Sequence, residues 1–109
     1  MSMQLPPASQ GKIVVFGSKE IRRVFLDGEW FFSVVDIIAA LTDSNAPKKY
    51  WTAMKRREEK SSGIQLSTFC RQLKLSSSDS KSYLTEATST ENAFRIIQSV
   101  PSPKAEPFK

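Results

Sequence analysis

Between Lys48 and Lys81 the sequence sets nine basic residues, Lys48, Lys49, Lys55, Arg56, Arg57, Lys60, Arg71, Lys74 and Lys81, against three acids, Glu58, Glu59 and Asp79. The local balance of +6 exceeds the +5 of the whole chain. A basic helix beside a basic hairpin, with serine loops between them, can follow a phosphate backbone. Arg56 or Arg57 would then be the side chains within reach of base edges. The plainer reading of the same run is a solvated helix face with ordinary Lys and Arg, because charge clustering alone is weakly specific.

Other chemistries have less to stand on. His is absent, which removes the commonest general base and the most frequent metal ligand together. The single Cys70 can form no disulfide within the chain and no Cys/His zinc cluster. It follows Phe69 in an apolar context, where a small buried residue is expected rather than a reactive thiolate. The four Gly are scattered, so neither a phosphate loop nor a dinucleotide fingerprint is present. Ser and Thr are many, but nucleophilic catalysis has no His to serve as its base. Asp27, Glu29 and Asp36 lie close in sequence, yet a turn accounts for the first and a helix cap for the last. The expectation is a binding module with no catalytic residues, no cofactor and no metal.

The elements that must position the basic residues fit into one domain. At 109 residues, with 39% hydrophobic and 25% charged residues, the chain can bury a single core but not two. The start, MSMQLPPASQGK, lacks the pattern of a signal peptide, and no apolar run approaches the roughly 20 residues of a membrane span. With an unpaired cysteine this points to a reducing, cytoplasmic setting without membrane contact.

Residues 1–11 read as a flexible leader. A short strand, IVVF, follows Lys12, closed by a Gly17-Ser18 turn, and a second runs from about Glu20 to Leu26. Asp27-Gly28 signals a type I′ hairpin, because both central residues need positive φ. That turn pairs Leu26 with Glu29, Phe25 with Trp30 and Val24 with Phe31, which makes Trp30 a core or rim residue. Ser33-x-x-Asp36 resembles a capping box and starts a helix whose stripe is Val34, Ile37, Ile38 and Leu41. After a polar break, Ala46-Pro47 opens a second helix to about Glu59, with Tyr50, Trp51 and Met54 inward and its end fraying through Ser61-Ser62-Gly63. Arg71 to Leu75 and Lys81 to Glu86 read as a second hairpin around Ser76–Ser80. Thr88-x-x-Glu91 reads as a capping box opening a third helix, with Ala93, Ile96, Ile97 and Val100 inward and Phe94 at the flank. Ser102-Pro103 reads as the cap and first position of a further helix, truncated over 102–109.

Three stretches, IRRVFLDGEWFFSVVDIIAALTDSNAPKKYW, MKRREEKSSGIQLSTFCRQLKL and TENAFRIIQSVPSPKAEPFK, resemble the Bro-N domain, the amino-terminal module of baculovirus Bro proteins and of phage and prophage antirepressors. The nearest likeness is to the bacterial DNA-damage-inducible protein D type. The resemblance spans Ile13 to Lys109, and the DGEWFFSVVDIIAAL and FRIIQSVPSPKAEPFK segments are its most specific pieces. It implies an α+β domain over 12–101, with β-hairpins packed against three to four short helices. It also implies DNA binding, to duplex DNA, in a regulator of transcription or of the DNA-damage response. A variable carboxy-terminal domain would follow, and no catalytic residues carry over. For the antirepressors the implied partner is instead a repressor protein. Capture of a repressor, or self-association through exposed aromatics such as Tyr50, Trp51 or Phe69, is therefore the rival to direct DNA binding.

Overall fold

The structure, a computed structural model, describes residues 12–16, 19–77 and 79–108. Its elements run β1 (Lys12–Phe16), β2 (Lys19–Leu26), β3 (Glu29–Ser33), α1 (Val34–Thr42), α2 (Pro47–Ser62), a 3₁₀ turn (Leu66–Phe69), β4 (Arg71–Ser76), β5 (Ser82–Ser89), α3 (Thr90–Gln98) and a 3₁₀ segment (Pro103–Phe108). The strands form one antiparallel five-stranded sheet in the order β1-β2-β3-β5-β4. This is the expected α+β architecture of hairpins packed against short helices. The leader over 1–11 and the Gly17-Ser18 turn lie outside the described residues.

The first hairpin has the register that its turn dictates. Asp27 and Gly28 take φ of 53° and 82°, and Leu26, Phe25 and Val24 oppose Glu29, Trp30 and Phe31. Trp30 is a rim residue: half-buried, edge-on to Phe25 at 5.3 Å, with the Arg23 guanidinium 3.9 Å above its ring. Strand alternation then divides the sheet into two apolar faces. Ile21 and Phe32 look toward the helices, where Val34, Ile37, Ile38 and Leu41 of α1 meet Trp51 and Met54 of α2 and Ala93, Ile96 and Val100. Phe31, Leu75 and Ala87, also buried, lie on the opposite face with Ser33. That face is covered by the sheet itself, which curls until β2 meets β4 although two strands separate them in the sheet order.

The helix ends depart from expectation in three places. Ser33 caps α1 by accepting a hydrogen bond from Asp36 N at 3.3 Å, but the Asp36 carboxylate turns to Arg22 instead of completing a capping box. The second helix does not fray after Glu59. It runs to Ser62 and is closed by Gly63 at φ 77°, whose N–H donates to Glu59 O. A glycine in the left-handed C-cap position satisfies a terminal carbonyl and outweighs the small dipole penalty of Glu58 and Glu59. The third helix is capped by Ser89, which accepts from Asn92 N, and not by Thr88. Pairing with β3 holds β5 extended through Ser89, and the Thr88 hydroxyl donates to Phe69 O. The segment after Ser102 is 3₁₀ in form rather than α. It belongs to the fold, since Ala105 is buried and the Ser102 hydroxyl donates to Leu41 O at 2.7 Å.

Candidate nucleic-acid interface

The inward set Trp51 and Met54 fixes which way the rest of α2 points. Lys49, Arg56 and Lys60, spaced by seven and four residues, fall on one line of the helix away from that set. All three are exposed, and the line covers about 16 Å of helix at 1.5 Å per residue. Lys48 sits a quarter-turn away and lines an open cleft of about 920 Å³ between α2, the start of α1 and the β4–β5 hairpin. None of these four side chains makes an ion pair among the described residues.

The hairpin supplies two more uncommitted cations, Lys74 and Lys81, both exposed. β5 pairs with β3 only over Ala87–Ser89, whereas β4 follows it from Ala87 out to Ser82. The stretch Gln72–Ser76 with Ser82–Glu86 is therefore a two-stranded arm that extends past the end of β3. At its tip Ser77 N donates to Lys81 O, and Asp79 accepts both Lys81 N and the Tyr83 hydroxyl. The Tyr83 bond holds the Asp79 carboxyl below its ordinary range and the Tyr83 phenol above its own.

The other three sequence candidates are engaged within the fold. Lys55 Nζ lies 3.0 Å from Glu86 Oε1, the same oxygen that accepts the Trp51 indole N–H at 2.7 Å. Arg57 Nη2 donates to Ser99 O at 3.4 Å, tying α2 to the end of α3. Arg71 pairs with Asp27 and stacks 5.1 Å from the Phe31 ring, on the sheet face opposite Lys74. The nine residues thus separate into six free cations on α2 and the arm and three structural ones.

The floor of the cleft is not a basic surface. Arg22 and Asp36 pair there, as do Lys55 and Glu86, and Glu20 also lines the cleft. Arg22, absent from the sequence candidates, is the hub: besides Asp36 it donates to Ser33 Oγ and to Ser76 O, joining β2, the cap of α1 and the arm. Its partners lie up to 54 residues away, so nothing local in IRRVF announces them. Cys70 is half-buried, and burial, reinforced by Glu86, pushes its thiol up to about 12. The aromatics expected at a protein interface are buried or half-buried. Trp51 is 2% exposed, and Tyr50 and Phe69 pack against the core. No helix among the described residues is long and apolar enough to cross a membrane.

Neither the comparison with curated proteins nor that with solved structures found a match. The comparison with family models did: residues 20–109 match the model of the BRO family, N-terminal domain. The matched span takes in the Asp27-Gly28 hairpin, the capped α1, all six free cations and the terminal 3₁₀ segment, and the chain accordingly belongs to the BRO family through this Bro-N domain.

Proposed function

We propose that the domain binds duplex DNA through its phosphate backbone, as the DNA-binding part of a cytoplasmic regulatory protein of the antirepressor or DNA-damage-inducible kind. The observation that carries this reading is the group of six exposed Lys and Arg that make no ion pair among the described residues: Lys48, Lys49, Arg56 and Lys60 on α2, Lys74 and Lys81 on the arm. Cations left free of ion pairs on one helix and one arm are available to the phosphates of a polyanion. Contact with four to six phosphates makes affinity fall on the order of 10²- to 10³-fold between 50 and 200 mM salt. Measuring that dependence on duplex DNA, for the parent chain and for a Lys49→Ala/Arg56→Ala/Lys60→Ala variant, tests the proposal. The variant should bind more weakly with a shallower salt slope; a flat salt response in the parent would overturn it.

A second reading, capture of a repressor protein or self-association, is favoured by a different feature. Phe94 is 52% exposed and borders an apolar recess of about 160 Å³ floored by Ile21, Phe32 and Ile37. Exposed apolar surface of this kind is what protein partners cover. A concentration-independent monomer by light scattering, with no change in repressor binding after Phe94→Ala, would remove that reading.

A further inference from the structure

We infer that base sequence is read by the β4–β5 arm, laid as a two-stranded ribbon in the major groove of duplex DNA, while α2 supplies phosphate contacts. The inference rests on the DNA-binding reading above and assigns the specificity-determining residues within it. The register Gln72↔Glu86, Lys74↔Leu84 and Ser76↔Ser82 places these six side chains on one face of the arm. Glu86, the acid among them, is drawn to the root of the arm by Trp51 and Lys55. The other five are exposed, and Leu84 is 65% exposed, the most open large apolar side chain among the described residues. On the opposite face Leu75 and Ala87 are buried and the exposed Tyr83 and Arg71 are bonded to Asp79 and Asp27, whereas of the six side chains on this face Glu86 is the one bonded to α2.

What remains on the open face is an amide, an ammonium, two hydroxyls and a branched apolar group, with no carboxylate. These are groups that discriminate base edges in the major groove. An amide bonds adenine N6/N7, a Lys meets guanine N7/O6, hydroxyls serve either, and an apolar side chain packs on the thymine methyl. A two-stranded ribbon fits the roughly 12 Å width of the major groove and not the roughly 6 Å of the minor. From Gln72 to Ser76 the arm advances about 13 Å, close to four base-pair steps of about 3.4 Å.

The surroundings suit the same placement. Lys81 lies at the tip, and Lys48 lines the same cleft as Gln72 and Leu84, so phosphates flanking the groove would find cations beside the arm. The arm is also braced. Arg22 donates to Ser76 O at 2.8 Å, and the Asp79 bonds close the turn. A held ribbon loses little freedom on docking, which is what a specificity element needs.

The test is selection of binding sites from a randomised duplex pool with the whole chain, followed by affinity measurement on the selected site and on unrelated DNA. Gln72→Ala, Leu84→Ala and Lys49→Ala/Arg56→Ala are each compared with the parent. The arm variants should each lower the ratio of specific to non-specific affinity about fivefold to a hundredfold and relax the preferred bases, with the salt slope unchanged for these two uncharged positions. The α2 variant should weaken all sequences alike. Replacing thymine by uracil in the selected site removes the methyl group and should cost the parent affinity that Leu84→Ala has already lost. An unchanged motif and ratio in both arm variants would overturn the inference, as would a parent that selects no motif. In either case DNA binding itself would stand; the absence of binding to every duplex, or a flat salt response, would overturn both together.

Discussion

Arg22 holds Asp36 through three hydrogen bonds, from its backbone N and Nε to Oδ2 at 2.9 and 2.8 Å and from Nη2 to Oδ1 at 3.1 Å. The pair fastens β2 to the first turn of α1 and, through Ser33 and Ser76, to the helix cap and the arm. Hydrogen bonds to charged groups contribute about 1.5–3 kcal/mol. Asp36→Ala should therefore destabilise the domain by about 2–3 kcal/mol, read as a lower urea midpoint. Arg22→Lys should lose much of the same stability, because an ammonium cannot form the fork.

Glu86 presents a sharper contrast. One of its oxygens accepts both the Trp51 indole and the Lys55 ammonium. Glu86→Gln keeps an acceptor for the indole and gives up the ion pair, a loss of about 0–1 kcal/mol for a partly exposed pair. Glu86→Ala strands a buried N–H and should cost about 1–3 kcal/mol. Equal losses in the two variants would contradict the dual role.

The division between free and engaged cations predicts opposite behaviour for neighbours on α2. Arg56→Ala should weaken DNA binding and leave the urea midpoint within about 0.5 kcal/mol of the parent. Lys55→Ala should lower the midpoint, since it releases Glu86 and the face of Trp51. Arg71→Ala, on the other face of the sheet, should leave the salt slope of DNA binding unchanged.

Two ionisable groups give pH and reactivity predictions. Burial raises the Cys70 thiol to about 12, so aromatic disulfide reagents at pH 8 should label it slowly until denaturant unfolds the chain. The Asp79 carboxyl is lowered from 3.8 by the Tyr83 hydroxyl. Its bond to Tyr83 is thus complete at neutral pH and weakens as pH falls below that value, through the lowered folded-state midpoint. A carboxyl NMR titration should place the Asp79 midpoint below 3.8 in the parent and nearer to it in Tyr83→Phe.

Local features were legible in the sequence, and long-range pairings were not. Asp27-Gly28 announced both the turn and its register because positive φ at two residues is a local demand. The α1 stripe and the inward face of α2 followed from helical spacing. The end of α2 lies beyond Glu59 because the left-handed cap at Gly63 is a stronger signal than the two glutamates before it. The start of α3 was displaced by one residue because Thr88 and Ser89 are equally good caps by type; the β3 pairing decides between them. Of the nine basic candidates, charge could not separate the free six from Lys55, Arg57 and Arg71. Their partners, Glu86, Ser99 and Asp27, are distant in sequence. The role of Arg22 is hidden in the sequence for the same reason.

The pairing of β3 with β5 rests on the three register pairs Phe31↔Ser89, Phe32↔Thr88 and Ser33↔Ala87. Ser33 caps α1 and Ser89 caps α3, so both helices are launched from opposite ends of one short seam. A slip of a single residue would turn every side chain of that seam to the wrong face and move both caps out of place together. The two hairpins can form from near neighbours, but the seam must join ends separated by all of α1 and α2, a slow, non-local event. Each cap is a local bond, but the seam sets where the two capped helices stand relative to the sheet. Three register pairs therefore hold the starts of both helices in one frame, and a change in any of them is felt at both ends of the core.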